Sequence, residues 1–313
     1  MEIIKPMSLV KGDNIGIFSP SEPLTEDRRD QLKKGIALFE SRGYRVKLSE
    51  YLFESDYYMA GSAEKRASDF NALLEAPEVK VLWTSWGGKS ANQILDLINW
   101  DSLKKTPKII IGFSDTTNII NASYAITKVV SFHGPHVAGK IAECSNSTIE
   151  LGFNAFTKGE VVTPADMEAP VIIRSGSCEG RLVGGNLKSF ILSNLGTKYE
   201  PELKQSIFFW ETGSGSPQEI DQYLTYLKLC GVFDKISGML VGDLSNCKDS
   251  RDWGGRSMHE VILDVTKEHN FPIFHIPAFG HGKVPNMVLP IGCKARINTD
   301  TFSFELLEPC VEV

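Results

Sequence analysis

The first half of the chain alternates short apolar segments with longer amphipathic ones, and this rhythm constrains the fold more than any single motif. Asn14–Phe18 and Val79–Thr84 are short apolar runs that predict strands. Glu26–Arg42 is amphipathic and ends at Gly43, as helices commonly do. The same criteria predict strands at Val46–Leu48 and Ile109–Ile111 and helices at Ala63–Leu74, Ser90–Ile98 and Thr116–Ile126. This order predicts an α/β fold with a mostly parallel sheet, whose sites lie beyond the carboxyl ends of the strands.

The stretch 156–170 interrupts this pattern with two prolines and little apolar periodicity, which predicts an interdomain linker. The predicted domains are therefore residues 1–155 and 171–313. The second domain has predicted strands at Val171–Arg174, Ser206–Glu211 and Pro272–Ala278 and a predicted β-hairpin over Cys293–Leu306. A capping box that starts at Ser257 predicts the beginning of a helix.

Composition excludes several classes of protein. A content of 42% hydrophobic and 23% charged residues is ordinary for a globular enzyme, and a net charge of −6 provides no basic surface for nucleic acid. We find no signal-peptide pattern and no apolar run of membrane-spanning length, so we expect a cytoplasmic protein without a membrane partner. The six cysteines form no C-x-x-C pair, so we predict no metal site, although one assembled from distant residues stays open.

Ser114 follows the predicted strand Ile109–Ile111 and precedes a predicted helix. A serine on such a turn lies near unpaired backbone N–H groups at a helix N-terminus, where an oxyanion can be stabilised. The sequence nearly matches the nucleophile elbow G-x-S-x-G, but Thr116 replaces the last glycine. Two interpretations stay open: Ser114 is a nucleophile, or it is part of an ordinary helix N-cap.

A serine nucleophile needs a base and an acceptor that orients the base. His281 lies between two glycines after a predicted strand, and it is either a base or an ordinary loop histidine. Glu211 ends a strongly apolar strand, so it is either a buried acceptor for an imidazole N–H or a solvent-facing acid. His133 either lines the same cleft or stabilises a turn, and His275 is expected in the core.

Gly87 and Gly88 precede Lys89 and Ser90, a sequence that suggests a phosphate-binding loop. The loop pattern requires glycine at position 83, which is Trp83, so the match fails. No dinucleotide fingerprint is present either, and we predict no cofactor. The two glycines instead suit a turn whose N–H groups approach a substrate oxyanion.

Five blocks in the chain occur in the order found in one enzyme family. They are Trp86–Leu95, Pro107–Asp115, Phe132–Pro135, Gly180–Leu187 and Gly280–Gly282. Together they resemble the serine LD-carboxypeptidase family. The resemblance implies a Rossmann-like N-terminal domain, a smaller β-rich C-terminal domain and a homodimer. It also implies a catalytic triad of Ser114, Glu211 and His281, with an oxyanion hole formed by the backbone N–H groups of Gly88 and Asp115.

The expected substrate is a small peptide or a peptidyl or aminoacyl conjugate, cleaved at an amide near its carboxyl end. The candidate substrate-binding residues are Gly87, Lys89, Ser90, Asn92 and His133. Lys89, Ser90 and Asn92 differ from the muropeptide-cleaving members and are closer to the microcin-immunity branch of the family. Residues 156–178 contain no tryptophan that could stack on a nucleobase. A muropeptide carboxypeptidase of cell-wall recycling and a non-catalytic two-domain binding protein are the alternatives.

Overall fold

Two β-sheets organise the computed structural model, which describes residues 2–141, 143–247 and 255–313. Its strands are β1 (Asn14–Phe18), β2 (Arg45–Leu48), β3 (Val79–Thr84), β4 (Ile109–Gly112), β5 (Ser131–His133), β6 (Val171–Arg174), β7 (Ser177–Asn186), β8 (Ser206–Glu211), β9 (Gly238–Val241), β10 (Ile273–His275), β11 (Leu289–Ile291), β12 (Lys294–Asn298) and β13 (Ser303–Leu306). Its α-helices are α1 (Glu26–Ser41), α2 (Ala63–Glu75), α3 (Trp100–Lys105), α4 (Thr117–Thr127), α5 (Asn146–Thr157), α6 (Leu187–Ser193), α7 (Pro217–Leu229) and α8 (Met258–Val265).

The first sheet has the strand order β11-β5-β4-β3-β1-β2. Its pairs are parallel except for β11, which runs antiparallel to β5 at one edge. The predicted α/β fold with a mostly parallel sheet is therefore confirmed. β11 comes from the C-terminal part of the chain and was not predicted. Its Pro290 lacks a backbone N–H, which suits an edge strand.

The second sheet has the order β13-β12-β7-β8-β9-β10-β6. Its centre, from β7 to β10, is parallel, and antiparallel strands flank it on both sides. The predicted hairpin is confirmed as β12 paired with β13. The predicted helix start at Ser257 is also confirmed, since Ser257 and Glu260 form a complete capping box at α8.

Two predicted elements differ from the observed ones. Residues Ala91–Leu97 form a 3₁₀-helix rather than an α-helix. The first N–H of this segment, on Ala91, donates to the Asp115 carboxylate, which ties the segment to the turn at Ser114. The predicted strand Pro272–Ala278 is limited to β10, because the Ala278 N–H donates back to the Ile276 carbonyl and turns the chain.

The two sheets share a hydrophobic core, and α4 lies between them. Ile119, Ile120 and Tyr124 of α4 belong to the same buried cluster as residues of β7 and β8. Polar contacts fix the relative position: Thr117 Oγ1 accepts from the Asn186 N–H at 2.9 Å, and Asn121 Nδ2 donates to the Gly184 carbonyl at 2.8 Å. The helix that follows Ser114 is thus attached directly to the strand β7.

Neither the proposed domain limits nor the linker is tested by this architecture, and they stay predictions. Two described parts of the second half return to the first half: β11 joins its sheet, and Glu312 pairs with Met7. None of the helices in the described part of the chain is long and apolar enough to span a membrane.

Candidate active site

Ser114 lies on a strained turn directly after β4. Its φ is +55°, a conformation that costs a non-glycine residue about 1–3 kcal/mol. Ser114 begins a short 3₁₀ turn, Ser114–Thr116, which continues into α4. The close approach of the preceding strand requires Gly112, since a Cβ there would lie 2.3 Å from Thr84 Oγ1. The turn therefore holds the Ser114 hydroxyl in a fixed position that is only partly buried.

His281 connects Ser114 to Glu211. Its Nε2 lies 3.0 Å from Ser114 Oγ, and its Nδ1 lies 2.6 Å from Glu211 Oε2. An ionised carboxylate only accepts hydrogen bonds, so Nδ1–H donates to Glu211 and leaves Nε2 free to accept from the hydroxyl. The neutral imidazole therefore carries its proton on Nδ1, which is the tautomer that a base toward Ser114 requires.

Glu211 is fully buried at the carboxyl end of β8. Burial raises the pKa of this carboxyl, but the charge and hydrogen bond of His281, together with smaller contributions from His133 and Asn186, outweigh burial, and the pKa is lowered overall. A second donor, Asn186 Nδ2, lies 3.0 Å from Glu211 Oε1. Both oxygens of the buried carboxylate are hydrogen-bonded, which is what a buried charge requires.

The His281 turn is held by Asp243. The Gly282 N–H donates to Asp243 Oδ2 at 2.6 Å, and the Ser245 N–H donates to Asp243 Oδ1 at 3.0 Å. Gly280 has a φ of +129°, which glycine adopts readily. Burial lowers the pKa of His281, but the Glu211 carboxylate raises it more strongly, so the net shift is upward. The imidazolium form is stabilised by the carboxylate behind it.

Two backbone N–H groups beside Ser114 are available to an oxyanion. Within the residues that the structure describes, neither the Gly88 N–H nor the Asp115 N–H donates a hydrogen bond. Gly88 has a φ of +146°, and a Cβ there would lie 2.3 Å from Ser21 Oγ, so this turn needs glycine. A Cβ at Gly87 would lie 3.2 Å from Ser114 Oγ, which shows how closely this backbone approaches the hydroxyl.

The Asp115 side chain holds the Gly88 turn and the Ser114 turn together through hydrogen bonds. Its Oδ2 accepts from Ser21 Oγ and from the Ala91 N–H, both at 2.7 Å, and its Oδ1 accepts from Asn118 Nδ2 at 2.8 Å. The Ser90 N–H donates to Ser21 Oγ at 2.9 Å. The same buried carboxylate therefore joins the Gly88 turn to the turn that carries Ser114.

Two cavities open next to these residues. The smaller one, of about 190 Å³, is lined by Ser114, Gly87, Gly88 and His281 among others. The larger one, of about 710 Å³, lies on the side of Asp243 and His275 and also touches His281. Ligand sites for drug-sized molecules usually measure about 300–1,000 Å³. The smaller cavity thus admits a group of residue size beside Ser114, and the larger one has room for a bigger group.

The predicted site residues fall into two sets. Ser114, Glu211, His281, Gly87, Gly88 and Asp115 are brought together at one place. Lys89 and Asn92 are exposed and do not line the smaller cavity, and Ser90 is buried against Ser21. His133 is 1% exposed among aromatic rings, and burial lowers its pKa to about 4. Direct contact of these four residues with substrate stays a prediction.

Sequence reasoning missed four residues that support this arrangement: His136, Asn186, Asp243 and Lys140. The buried His136 ring packs against Phe113 at a tilt, with ring centroids 4.3 Å apart, and its Nε2 lies 3.0 Å from the Phe113 carbonyl oxygen. Asn186 had a local signal, because it ends the Gly184-Gly185-Asn186 segment next to a helix start. Asp243 and Lys140 had none, since Gly282, the residue that both contact at this site, lies far away from them in the sequence.

Among the described residues, no group of three or more His, Cys, Asp or Glu side chains is placed to hold a metal ion. The six cysteines are free thiols.

Comparison with known proteins identifies the family. The LD-carboxypeptidase N-terminal domain matches residues 15–134, and the LD-carboxypeptidase C-terminal domain matches residues 179–297. The chain belongs to this family of serine peptidases and is a carboxypeptidase-type hydrolase.

Two relatives and one solved structure show the range of similar proteins. A probable murein peptide carboxypeptidase of Bacillus subtilis is 31% identical, with 94% of this chain and 92% of the relative covered. The microcin C7 self-immunity protein MccF of Escherichia coli is 27% identical, with 96% and 94% covered. A structure of MccF in complex with glutamyl sulfamoyl guanosine has a TM-score of 0.90 at 26% identity and covers 99% of this chain and 100% of that one.

Proposed function

We propose that this peptidase uses Ser114, His281 and Glu211 as a catalytic triad and forms an acyl-enzyme. The observation that carries the proposal is the continuous chain of contacts from Ser114 Oγ through His281 to the buried Glu211. The N–H groups of Gly88 and Asp115, which donate to no described acceptor, support it as candidate donors to the oxyanion of a tetrahedral intermediate.

The mechanism follows from these positions. His281 Nε2 takes the hydroxyl proton as Ser114 Oγ attacks the substrate carbonyl, and the Gly88 and Asp115 N–H groups stabilise the resulting oxyanion. The imidazolium then protonates the leaving amine as the amide bond breaks. Water, deprotonated by His281 Nε2, attacks the acyl carbonyl, and the imidazolium returns the proton to Ser114 Oγ as the ester bond breaks and the acyl group leaves. Glu211 holds the tautomer and stabilises the imidazolium without exchanging a proton with substrate.

We propose an acidic aminoacyl or peptidyl amide as the substrate class. Structures of MccF contain glutamyl sulfamoyl guanosine and aspartyl sulfamoyl adenosine, both acidic aminoacyl conjugates. Lys89, Ser90 and Asn92 replace the aromatic and arginine residues of the muropeptide-cleaving members, so a terminal carboxylate loses a charged anchor worth about 1.5–3 kcal/mol. Without a tryptophan in 156–178, a nucleobase should add little of the usual ~1–3 kcal/mol of stacking.

The competing substrate is a muropeptide, which the name of the Bacillus subtilis relative suggests. Mass spectrometry of parallel digests would decide between them, with a muropeptide, a glutamyl amide and its adenylate analogue as substrates. We expect the glutamyl amide and its adenylate analogue to be cleaved at similar kcat/KM values, above that of the muropeptide. Faster turnover of the muropeptide than of both others would overturn the substrate assignment.

Ser114→Ala is the control for every digest. It should lower turnover by ~10⁴-fold or more, because the remaining groups can only assist attack by water. A folded Ser114→Ala protein that keeps more than about a tenth of the wild-type turnover would refute the nucleophile.

A further inference from the structure

Lys140 is a half-buried lysine that lines both cavities of the site. It belongs to the irregular segment Val137–Ile141, which follows β5. The cavity next to Ser114 and the larger cavity beyond His281 both have Lys140 in their walls. Lys283, a neighbouring lysine, is exposed and lines the larger cavity but not the cavity next to Ser114. Among the described residues that line the cavity next to Ser114, Lys140 is the one lysine or arginine.

The ammonium group of Lys140 is only partly satisfied by protein groups. Its Nζ donates to the carbonyl of Gly282, the residue after His281. Among the described residues, no carboxylate lies within 4.0 Å of Nζ, and the Gly282 carbonyl is its one hydrogen-bond acceptor. A lysine ammonium carries three donors, so two remain for a ligand.

The ammonium of Lys140 is partly buried and has no close counter-charge among the described residues, although Asp243 and Glu211 supply more distant negative charge. Burial lowers the pKa of Lys140, because the ammonium is poorly solvated. A carboxylate from the substrate would compensate for that lost solvation. Glu143 lines the same cavities, but its side chain is exposed and therefore solvated by water.

We propose that Lys140 binds the side-chain carboxylate of the acyl residue and so determines the preference for acidic substrates. The inference rests on the proposed function and extends it to a specificity-determining residue. The cavity of about 190 Å³ beside Ser114 is too small for a drug-sized group but admits one amino-acid side chain. Lys140, held at the Gly282 carbonyl, contacts a carboxylate placed there while the scissile carbonyl lies at Ser114.

The test compares a glutamyl amide with its neutral glutaminyl isostere, both with the same leaving group. The wild-type protein should favour the glutamyl amide in kcat/KM by about 10- to 100-fold, the range for a hydrogen bond between charged groups. Lys140→Met should bring this ratio close to one, mainly through the glutamyl amide, and Lys140→Arg should keep most of it. Lys105→Met removes an exposed lysine of α3 that lines neither cavity, and it should leave the ratio unchanged.

Two outcomes would overturn the proposal. The first is a wild-type protein that cleaves both amides equally well. The second is a Lys140→Met protein that keeps the wild-type ratio, including the case in which both amides lose activity equally, as a distorted Gly282 turn would cause.

Binding measurements keep this test separate from the proposed chemistry. Isothermal titration of Ser114→Ala protein with each amide needs no turnover. Tighter binding of the glutamyl amide, lost when Lys140→Met is added, would support the role of Lys140 even if the wild-type protein cleaved neither amide. Absence of this binding preference would overturn it. Failure of turnover alone would count against the proposed function instead.

Discussion

The two halves of the site are held in place by different means. On the first sheet, unusual backbone conformations position the nucleophile, since Ser114 has a φ of +55° and Gly88 a φ of +146°, and the Asp115 carboxylate joins the two turns. On the second sheet, side-chain hydrogen bonds fix the acid and the base, and they join residues 25 and 70 positions apart. We infer that an added side-chain atom should reduce catalytic activity most in the first half of the site. In the second half, the loss of a charge or a hydrogen bond should reduce it most.

The largest effect is expected on the second half. His281→Ala should lower turnover by ~10⁴-fold or more, and Glu211→Gln should lower it less, because Glu211 exchanges no proton with substrate. The double variant should lose little more than His281→Ala alone, since the residues act as a unit. Steady-state kinetics of the three proteins would check this. A double variant that lost the full product of the two single effects would contradict the proposed unit.

A steric change should have the next largest effect, on the first half. Gly88→Ala should lower kcat by about 10²–10³-fold, as expected when an oxyanion donor is displaced. The new Cβ would lie 2.3 Å from Ser21 Oγ, so the turn must move. Gly196→Ala is the matched control, because Gly196 has a φ of +71° with nothing within 4 Å of the new Cβ. If both variants reduced kcat equally, the Gly88 N–H would not be the donor.

A smaller effect is expected from Asn186, which we regard as a positioning residue for Glu211. Asn186→Ser keeps a side chain able to cap α6 but loses the donor to Glu211, and kcat should fall about tenfold with KM unchanged. Asn186→Ala should lower kcat similarly and also cost about 1 kcal/mol of unfolding free energy through the lost cap. A Ser variant with wild-type kcat would mean that Glu211 needs no second donor.

The smallest effect is a shift of the pH profile. The acid limb of kcat/KM should lie above the ordinary histidine pKa of 6.5, because Glu211 raises the pKa of His281. Glu211→Gln removes that charge, so the limb should move to lower pH. A limb that stays in place would show that another group titrates.

The same pair makes a pH-dependent contribution to stability. The raised pKa of His281 stabilises the fold at pH values below 6.5, and this contribution is lost as pH rises through the folded-state pKa. The lowered pKa of Glu211 stabilises the fold above pH 4.5, and this contribution is lost as pH falls through its folded-state pKa. Thermal unfolding measured across pH would check both contributions. The stability of the Glu211→Gln protein should depend less on pH than that of the wild-type protein, because the variant lacks the carboxylate.

The features that were predicted from the sequence are those set by local patterns, and the features that were missed are those set by contacts between distant segments. The strand-turn-helix around Ser114 and the hairpin β12–β13 are local patterns, and both were predicted. The pairing of β11 with β5 and the support of Gly282 by Asp243 depend on contacts between distant parts of the chain. Such contacts leave no periodicity or turn signal in either segment.

The central claim is that Ser114 is a nucleophile activated by His281, and covalent labelling tests it most directly. The protein would be treated with a fluorophosphonate serine probe, and the modified peptide identified by mass spectrometry. The wild-type protein should be labelled at Ser114, whereas folded His281→Ala and Ser114→Ala proteins should show little or no labelling there. A folded wild-type protein that leaves Ser114 unmodified, or a His281→Ala protein labelled at the wild-type rate, would contradict the account.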